Sequence, residues 1–310
     1  MTEIVPGKQG ELQRRERVRW REAMKTWLDA TTTSKTTREA YRRTVEQMFE
    51  FLGVETPAVI TARMLAEWRA DMVAKMESGA LAPATVARHI SAAREFWKFA
   101  AVVGVSPVRP DVVEVALPSV RHHTVKPYEI LSEAEEEQLL SWAWRERSPR
   151  DALMLEVMLR LGLRVSEVAG LAIEDLTRDD KERMLLRIRK GKGRKDRVLP
   201  VPSDLMVKVT GYVSTDREAE DDQPWIFASR QGDGRLTNRR IQQIVDECVT
   251  GAGLVRDISP HSLRHTCAVR LLRKGASVVE VQKILGHASI RTTQRYLDHI
   301  SLEELREVLR

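Results

Sequence analysis

The stretch PHSLRHT, residues 260–266, combines a helix start with two cationic side chains on one face of that helix. Pro260 suits the first helical position. His261 and Arg264 are three residues apart, so both can approach one anion near the positive end of the helix. His261 and His265 also have a metal-ligand spacing, but no glutamate directly follows His261 and no third ligand is evident. We therefore expect an anion site without a metal, and a helix-packing role for His265.

The motif LGLRVSE, residues 161–167, places an arginine and a glutamate where they can pair. We expect Gly162 to end a helix, with Arg164 just after it. Glu167 then lies on the following turn, where its carboxylate can orient the guanidinium. An ordinary capping salt bridge is the alternative interpretation, since paired surface charges are common.

Two more polar residues lie near the end of the chain. His287 follows a short helix in LGHASI, residues 285–290. Tyr296, one of only four tyrosines, lies in TTQRYLDH, residues 292–299. A lone tyrosine is usually a core or interface residue, so Tyr296 gains meaning only from its neighbours.

Residues 184–201 predict a β-hairpin with a cationic tip. Residues 184–189 and 197–201 have strand character and flank the glycine-bearing stretch KGKGRKD, residues 190–196. A solvated turn is the alternative interpretation, because charge runs are commonly solvated. With a single acid, Asp196, residues 187–197 contain the basic residues Arg187, Arg189, Lys190, Lys192, Arg194, Lys195 and Arg197.

The length and helical pattern predict two domains, because 310 residues are enough for two cores. Residues 1–17 read as a polar tail. Residues 18–106 repeat apolar side chains at helical spacing in four helices, the second entered through a Thr36-x-x-Glu39 capping box. Residues 107–128 contain four prolines, which disrupt helices, so we expect an extended linker there.

Residues 129–310 predict a second domain that is mainly helical, with the hairpin inserted. Capping boxes at 132–135, 277–280 and 301–304 mark three helix starts. Helices are expected at 133–147, 149–162, 203–214, 237–250, 260–274, 278–285, 289–298 and 302–310.

The composition disfavours several classes of protein. The formal net charge is +6 with both signs abundant, which favours local basic surfaces that bind an anionic polymer. Cys248 and Cys267 are the only cysteines and have no C-x-x-C pairing, so we expect neither a disulfide framework nor a zinc site. No stretch approaches about 18 apolar residues, and residues 1–17 lack the apolar centre of a signal peptide. We therefore expect a cytoplasmic protein without a membrane segment.

An arginine, a hairpin lysine, H-x-x-R, G-H and a tyrosine, in this order and spacing, resemble the tyrosine recombinase (phage integrase) family, particularly its bacterial Xer-like members. The motifs that carry the resemblance are LGLRVSE, GKGRKDR, HSLRHT, LGHASI and TTQRYLDH. The resemblance covers residues 18 to 310. It implies a mainly α fold with a small β-hairpin or sheet, in which an all-helical N-terminal core-binding domain precedes a mixed α+β catalytic domain.

The resemblance also implies a site-specific recombinase that cuts and rejoins DNA through a 3′-phosphotyrosyl intermediate, in integration, excision, resolution or transposition. Tyr296 would attack the scissile phosphate, and Arg164 and Arg264 would neutralise its charge. Lys192 would protonate the leaving 5′-oxygen, and His261 would move the proton of the tyrosine. Bond energy is kept in the phosphotyrosine, so no cofactor, metal or ATP is expected.

The other implied roles are supporting ones. His287 would hydrogen-bond the phosphate or position the nucleophile, and Glu167 would support the first arginine. Lys190 and Lys195 stay rivals of Lys192 for the acid role. The residues expected to bind DNA are Lys190, Arg194, Lys195 and Arg197.

The implied partner is double-stranded DNA, clamped from opposite faces by the two domains. Strand exchange needs two duplexes, so a homotetramer on DNA is expected. Residues 300–310 form an amphipathic helix that would dock on a neighbouring protomer or fold back on its own domain. Two alternatives stay open, a type IB topoisomerase-like enzyme that relaxes DNA and a catalytically inert DNA-binding protein of the same fold.

Overall fold

The computed structural model describes residues 6–31, 34–120, 129–189, 196–217, 223–229, 234–287, 289–294 and 296–297, with side chains from residue 19 onward except at Arg291. The chain divides into two compact units, Met1–Lys126 and Pro127–Arg310. Each unit has an apolar core of its own. Within the described ranges, no helix combines the length and the apolar character needed to cross a bilayer.

The described part of the first unit is helical, as predicted. Its core is rich in aromatic rings, and Trp68, Phe96 and Trp97 are almost fully buried. The first helix begins at Pro6, so the backbone of residues 6–17 is helical, whereas the sequence predicts a tail there. A 3-10 turn at Pro57–Val59 accompanies the helices α1 Pro6–Thr31, α2 Lys35–Leu52, α3 Ala62–Glu77, α4 Pro83–Val102 and α5 Pro110–Ala116.

Two local predictions for this unit are wrong. The cap of α2 is Ser34, whose hydroxyl accepts the Thr37 N–H, so the helix starts before the proposed box at Thr36. The sequence predicts an extended linker over 107–128, but α5 forms within it. Pro110 occupies the first turn of α5, where its missing N–H is not needed, and Val113 is fully buried in the core. Burial of the apolar face of α5 stabilises the helix, and the neighbouring prolines lie at its start and beyond its end without disrupting it.

The second unit is a mixed α+β domain, which confirms the predicted fold class. Short 3-10 and π turns lie at Ile173–Asp175 and Tyr212–Asp216. The described α-helices are α6 Glu133–Glu146, α7 Pro149–Leu161, α8 Val165–Ala169, α9 Ser203–Gly211, α10 Asn238–Gly251, α11 Pro260–Arg273, α12 Val278–Leu285 and α13 Ile290–Gln294.

A small antiparallel sheet lies between α8 and α9 in the chain. It contains β1 Leu176–Arg178, β2 Met184–Ile188 and β3 Arg197–Pro200 in the order β1-β2-β3. Leu186 of β2 pairs with Leu199 of β3, and both face the core. The hairpin β2–β3 is where the sequence predicts it, whereas the three-residue β1 is too short to leave a periodic signal.

Helix α7 runs through the core of the second unit. Every residue from 152 to 159 is buried. The helix ends at Gly162, whose φ of 62° lies in the left-handed region that favours glycine. A Cβ at this position would lie 2.6 Å from Leu285 Cδ2 and 3.1 Å from Cys267 Sγ. Only glycine lets the end of α7 come this close to α11 and α12, and Arg164 and Arg264 both form hydrogen bonds at this junction.

Candidate active site

Arg164 lies where the chain leaves α7 and enters α8. It caps α8, and Glu167 in the first turn accepts hydrogen bonds from the Arg164 N–H at 2.9 Å and from its Nη1 at 2.8 Å. The guanidinium also donates to the carbonyl oxygens of Leu285 at 3.3 Å and Gly286 at 3.2 Å. The sequence predicts the pairing of the two side chains, but it predicts a turn where the structure has a short helix.

Arg264 approaches the same carbonyl from α11. Its side chain is buried, and it donates to Gly162 O and to Leu285 O, both at 2.6 Å. Burial and the positive charge of Arg164 lower the pKa of this guanidinium to about 10, so it stays charged at neutral pH. Both arginines therefore bind the oxygen of Leu285, and their guanidiniums converge on one point.

Glu167 holds a third arginine as well. Arg197, on β3, donates Nη1 and Nη2 to the two carboxylate oxygens at 2.7 Å and 2.9 Å, and Nε to Ile284 O at 2.8 Å. Arg264 Nη1 lies 3.9 Å from the same carboxylate. Burial alone would raise the pKa of Glu167, but the hydrogen bonds and charges of Arg197 and Arg164 lower it to about 2. The carboxylate is therefore ionised throughout the physiological range.

The sequence assigns Arg197 to DNA binding, but in the structure its side chain pairs with Glu167. Its side chain is 9% exposed, and its guanidinium faces Glu167 and the end of α12. A Cβ at Gly286 would lie 2.9 Å from Arg197 Nη1, so the guanidinium packs directly on the turn that follows α12. A bidentate ion pair with a buried carboxylate satisfies the charge of an arginine internally. Arg197 is therefore a structural support of the arginine cluster.

The two predicted histidines lie close to this cluster. His261 is exposed near the start of α11, and its pKa is lowered by partial loss of hydration and by the charges of Arg264 and Arg164. His287 follows α12, and its Nδ1 lies 2.8 Å from Thr293 Oγ1. Burial, and then Arg264 and Arg164 with other nearby positive groups, lower the pKa of His287 to about 4. Its imidazole is therefore neutral at pH 7.

Tyr296 is buried beside these groups. Its side chain is 1% exposed and packs in an apolar cluster that includes Val269, Leu272 and Leu285. The hydroxyl lies 2.9 Å from Nδ1 of His265 on α11. The ring also stacks on that of His287, with centroids 6.0 Å apart.

His265 therefore does more than pack between helices. It hydrogen-bonds Tyr296, the predicted nucleophile. His261 packs on the His265 ring, with the two ring centroids 5.1 Å apart. One sequence feature favours a role for His265 at the site, since it directly follows Arg264. Its i, i+4 spacing from His261 points instead to a metal site.

The arginine cluster has an excess of positive charge, with three guanidiniums around the carboxylate of Glu167. Burial is the first cause of the lowered pKa values of Arg264, His261 and His287, and the charges of neighbouring arginines are the second. An anion with several oxygens would offset the excess of positive charge, which is what a phosphodiester offers. Among the described residues, no group of three or more His, Cys, Asp and Glu side chains gathers as a metal site would require.

Several predicted residues lie outside the described ranges. Residues 190–195 at the hairpin tip include Lys190, Lys192, Arg194 and Lys195. The expected terminal helix, residues 300–310, lies outside them too. Their assignments stay predictions.

Comparison with known proteins identifies the class. A family model described as the phage integrase family matches residues 129–302, and one described as the phage integrase N-terminal SAM-like domain matches residues 26–103. The chain is 32% identical over 287 residues to tyrosine recombinase XerC of Thermodesulfovibrio yellowstonii, covering 89% of each chain. It is also 32% identical over 302 residues to tyrosine recombinase XerD of Corynebacterium glutamicum, covering 92% of this chain and 96% of that protein.

The fold agrees with this assignment. The crystal structure of XerH site-specific recombinase bound to a palindromic difH substrate, in a post-cleavage complex, superposes with a TM-score of 0.69 at 20% identity, covering 94% of this chain and 84% of that one. The chain belongs to the phage integrase family as an Xer-like tyrosine recombinase, an enzyme that cuts and rejoins DNA at specific sites. The resemblance recognised in the motifs is thereby confirmed.

Proposed function

We propose that Arg164 and Arg264 clamp the scissile phosphate of DNA while Tyr296 attacks its phosphorus. The observation that carries this proposal is the convergence of both guanidiniums on the oxygen of Leu285, at 3.3 Å and 2.6 Å. Two like charges are held together here by Glu167 and by backbone carbonyls. A phosphate in front of them would gain two cationic donors at once.

The clamp is held in place before the substrate arrives. The carbonyl oxygens of Gly162, Leu285 and Gly286 accept guanidinium N–H groups, and Glu167 fixes Arg164 from the other side. Donors fixed in this way need little reorganisation when charge builds up on the non-bridging oxygens of the transition state. Removal of one such donor typically lowers the rate by about 100- to 1,000-fold.

The proposed reaction exchanges one phosphate ester for another. The Tyr296 oxygen bonds to phosphorus as the bond to the 5′-oxygen breaks, which leaves a 3′-phosphotyrosine and a 5′-hydroxyl. The phenol loses its proton to a histidine, and the leaving oxygen gains one from a general acid, which we assign to Lys192 with Lys190 and Lys195 as alternatives. A 5′-hydroxyl from another strand then reverses the step, so the number of ester bonds is conserved and no ATP is needed.

We place the buried Tyr296 in a resting position. At 1% exposure its hydroxyl is shielded from a phosphate on the surface, and it is bonded to His265 instead. Tyr296 therefore has to leave this position when DNA binds. His261 is exposed on the same helix as His265, which supports its assignment as the group that takes the phenolic proton once the tyrosine reaches the phosphate.

We further propose that the chain acts on double-stranded DNA in the cytoplasm and that each unit contacts the duplex. The XerH structure is that of a protein bound to a palindromic substrate, which supports a symmetric arrangement of protomers. Exchange between two duplexes then requires four copies. The amphipathic segment 300–310 is our candidate for the contact between neighbouring protomers.

The test is covalent capture of DNA. The full-length protein is incubated with a library of nicked suicide duplexes, whose cleavage releases a short fragment and prevents religation. We expect DNA of defined sequence to be attached at Tyr296, and none to be attached to Tyr296→Phe. Equal attachment to every duplex, with relaxation of supercoiled DNA and no exchange, would support the topoisomerase alternative. Attachment by Tyr296→Phe would show that the nucleophile is wrongly assigned.

A further inference from the structure

Thr293 lies between two of the proposed catalytic groups. It is fully buried on α13, and its Oγ1 lies 2.8 Å from Nδ1 of His287. Its carbonyl oxygen accepts the N–H of Tyr296 at 3.0 Å. The sequence gives no reason to single out this threonine, because it lies among other small polar residues in TTQRYLDH.

The state of the His287 ring decides what Thr293 does. A neutral imidazole has one N–H, so one ring nitrogen donates and the other accepts. Burial, and then the positive groups around His287, lower its pKa and so disfavour a second proton on the ring. If Nδ1 donated to the threonine, Nε2 would present a lone pair, which repels the oxygens of a phosphate. If Thr293 donates to Nδ1, the proton is on Nε2 and that nitrogen can donate to an anion.

The backbone supports this arrangement. His287 follows Gly286, which caps α12 in the left-handed conformation, and the His287 N–H donates to Gln282 O at 3.1 Å. The amide of Gln282 in turn donates to His287 O at 3.2 Å. Since these bonds fix the backbone of His287, the ring orientation depends on its stacking on Tyr296 and on its hydrogen bond with Thr293, the contact that acts on a ring nitrogen.

We propose that Thr293 is a positioning residue, whose hydroxyl donates to Nδ1 of His287 and so keeps the N–H on Nε2 for a phosphate oxygen. The inference rests on the proposed function and takes, of the two roles that the resemblance implies for His287, the hydrogen bond to the phosphate. In this proposal Thr293 contacts neither DNA nor the reacting atoms. It determines which ring nitrogen of His287 carries the proton, and His287 contacts the phosphate.

The kinetic test compares Thr293→Val, which keeps the shape but removes the hydroxyl, with Thr293→Ser, which keeps the hydroxyl. Single-turnover cleavage of a nicked suicide duplex is measured in the full-length chain, with DNA affinity measured in parallel. We expect the valine variant to cleave about 10- to 100-fold more slowly, by analogy with the loss of a residue that orients a metal-bound histidine. Affinity should stay unchanged, and the serine variant should cleave within about threefold of the parent.

A double-mutant cycle separates positioning from a general loss of structure. In a His287→Ala background, the valine substitution should change the rate by less than about twofold, because the ring that it acts on is gone. An equal loss in both backgrounds would overturn the inference. So would a serine variant as slow as the valine variant.

A readout that does not depend on activity is the ¹⁵N spectrum of the imidazole nitrogens at pH 7, with the His287 signals assigned by their absence in His287→Ala. We expect the parent to show the tautomer protonated at Nε2, and Thr293→Val to show a mixture. A parent protonated at Nδ1 would refute the proposal, even if the valine variant failed to fold. Normal cleavage by His287→Ala would instead remove the phosphate role of His287, and the tautomer would still decide the role of Thr293.

Discussion

Replacement of Glu167 by glutamine should destabilise the catalytic unit in a pH-dependent way. Burial alone would raise the pKa of this carboxyl, but Arg197 and Arg164 lower it from 4.5 to about 2. At about 1.4 kcal/mol for each tenfold change in proton affinity, this corresponds to about 3 kcal/mol of native-state stabilisation at pH 7. The value agrees with the loss of about 3–5 kcal/mol that is typical when one partner of a buried ion pair is removed.

The pH dependence follows from the sign of the pKa change. Because the native pKa lies below the unfolded one, the stabilisation is complete above about pH 4.5 and is lost as the pH falls towards 2. The difference in unfolding free energy between the parent and Glu167→Gln should therefore be about 2 kcal/mol smaller at pH 3 than at pH 7. Urea unfolding of the full-length chain at both pH values, followed by circular dichroism, measures this difference.

Asp204→Asn is the matched control. Asp204 also has a pKa of about 2, through its contact with Arg160, but it lies exposed on the surface. Solvent screening makes such a pair weak, so its loss should shift the unfolding transition far less than the loss of Glu167. A Glu167→Gln variant that is no less stable than Asp204→Asn, or whose deficit is the same at pH 3 and pH 7, would refute the account of Glu167.

Three further predictions concern the geometry of the site. Gly162→Ala should lower the stability more than Gly53→Ala does, because a methyl group at Gly162 would clash with Leu285. Gly53 is also a left-handed helix cap, but a methyl group there would meet no atom within 4 Å. Thermal unfolding of both variants measures the two losses, and equal losses would contradict the prediction. The clash should also slow suicide-duplex cleavage in Gly162→Ala, while Gly53→Ala cleaves normally. Arg197→Gln loses the charge that pairs with Glu167, so cleavage should slow while the salt dependence of DNA binding stays the same; a salt slope smaller by about 1 would show that Arg197 contacts a phosphate after all. His287 should titrate near pH 4 in an NMR titration of the free protein, since burial and nearby arginines lower its pKa, and a midpoint above pH 6 would contradict that environment.

The sequence predicts those parts of the molecule whose signals are local. Helices α6 and α12 each follow a capping box, at Ser132 and Ser277, and begin where the sequence places them. The pairing of Arg164 with Glu167 depends on residues three apart, and the structure contains it. The sequence does not predict the helix α5, because the prolines around it are typical of an extended linker. The burial of Val113 that stabilises α5 depends on the rest of the unit.

The contacts that complete the site join residues far apart in the chain. Arg197 looks like one more charge in a cationic hairpin, and nothing in its neighbourhood shows that it reaches Glu167, 30 residues earlier. His265 on α11 meets Tyr296, which lies beyond the end of α13 and 31 residues later in the sequence. Such contacts depend on the packing of α7, α11 and α12 around Gly162, which a single sequence does not specify.

The central claim, that two guanidiniums neutralise one phosphate, is tested most directly with a suicide duplex whose scissile phosphate is replaced by an uncharged methylphosphonate. The account predicts that Arg164→Ala and Arg264→Ala lose about 100- to 1,000-fold in cleavage rate on the phosphate duplex. On the methylphosphonate duplex both should lose far less, because no negative charge is left to neutralise. A loss of the same size on both duplexes would contradict the claim.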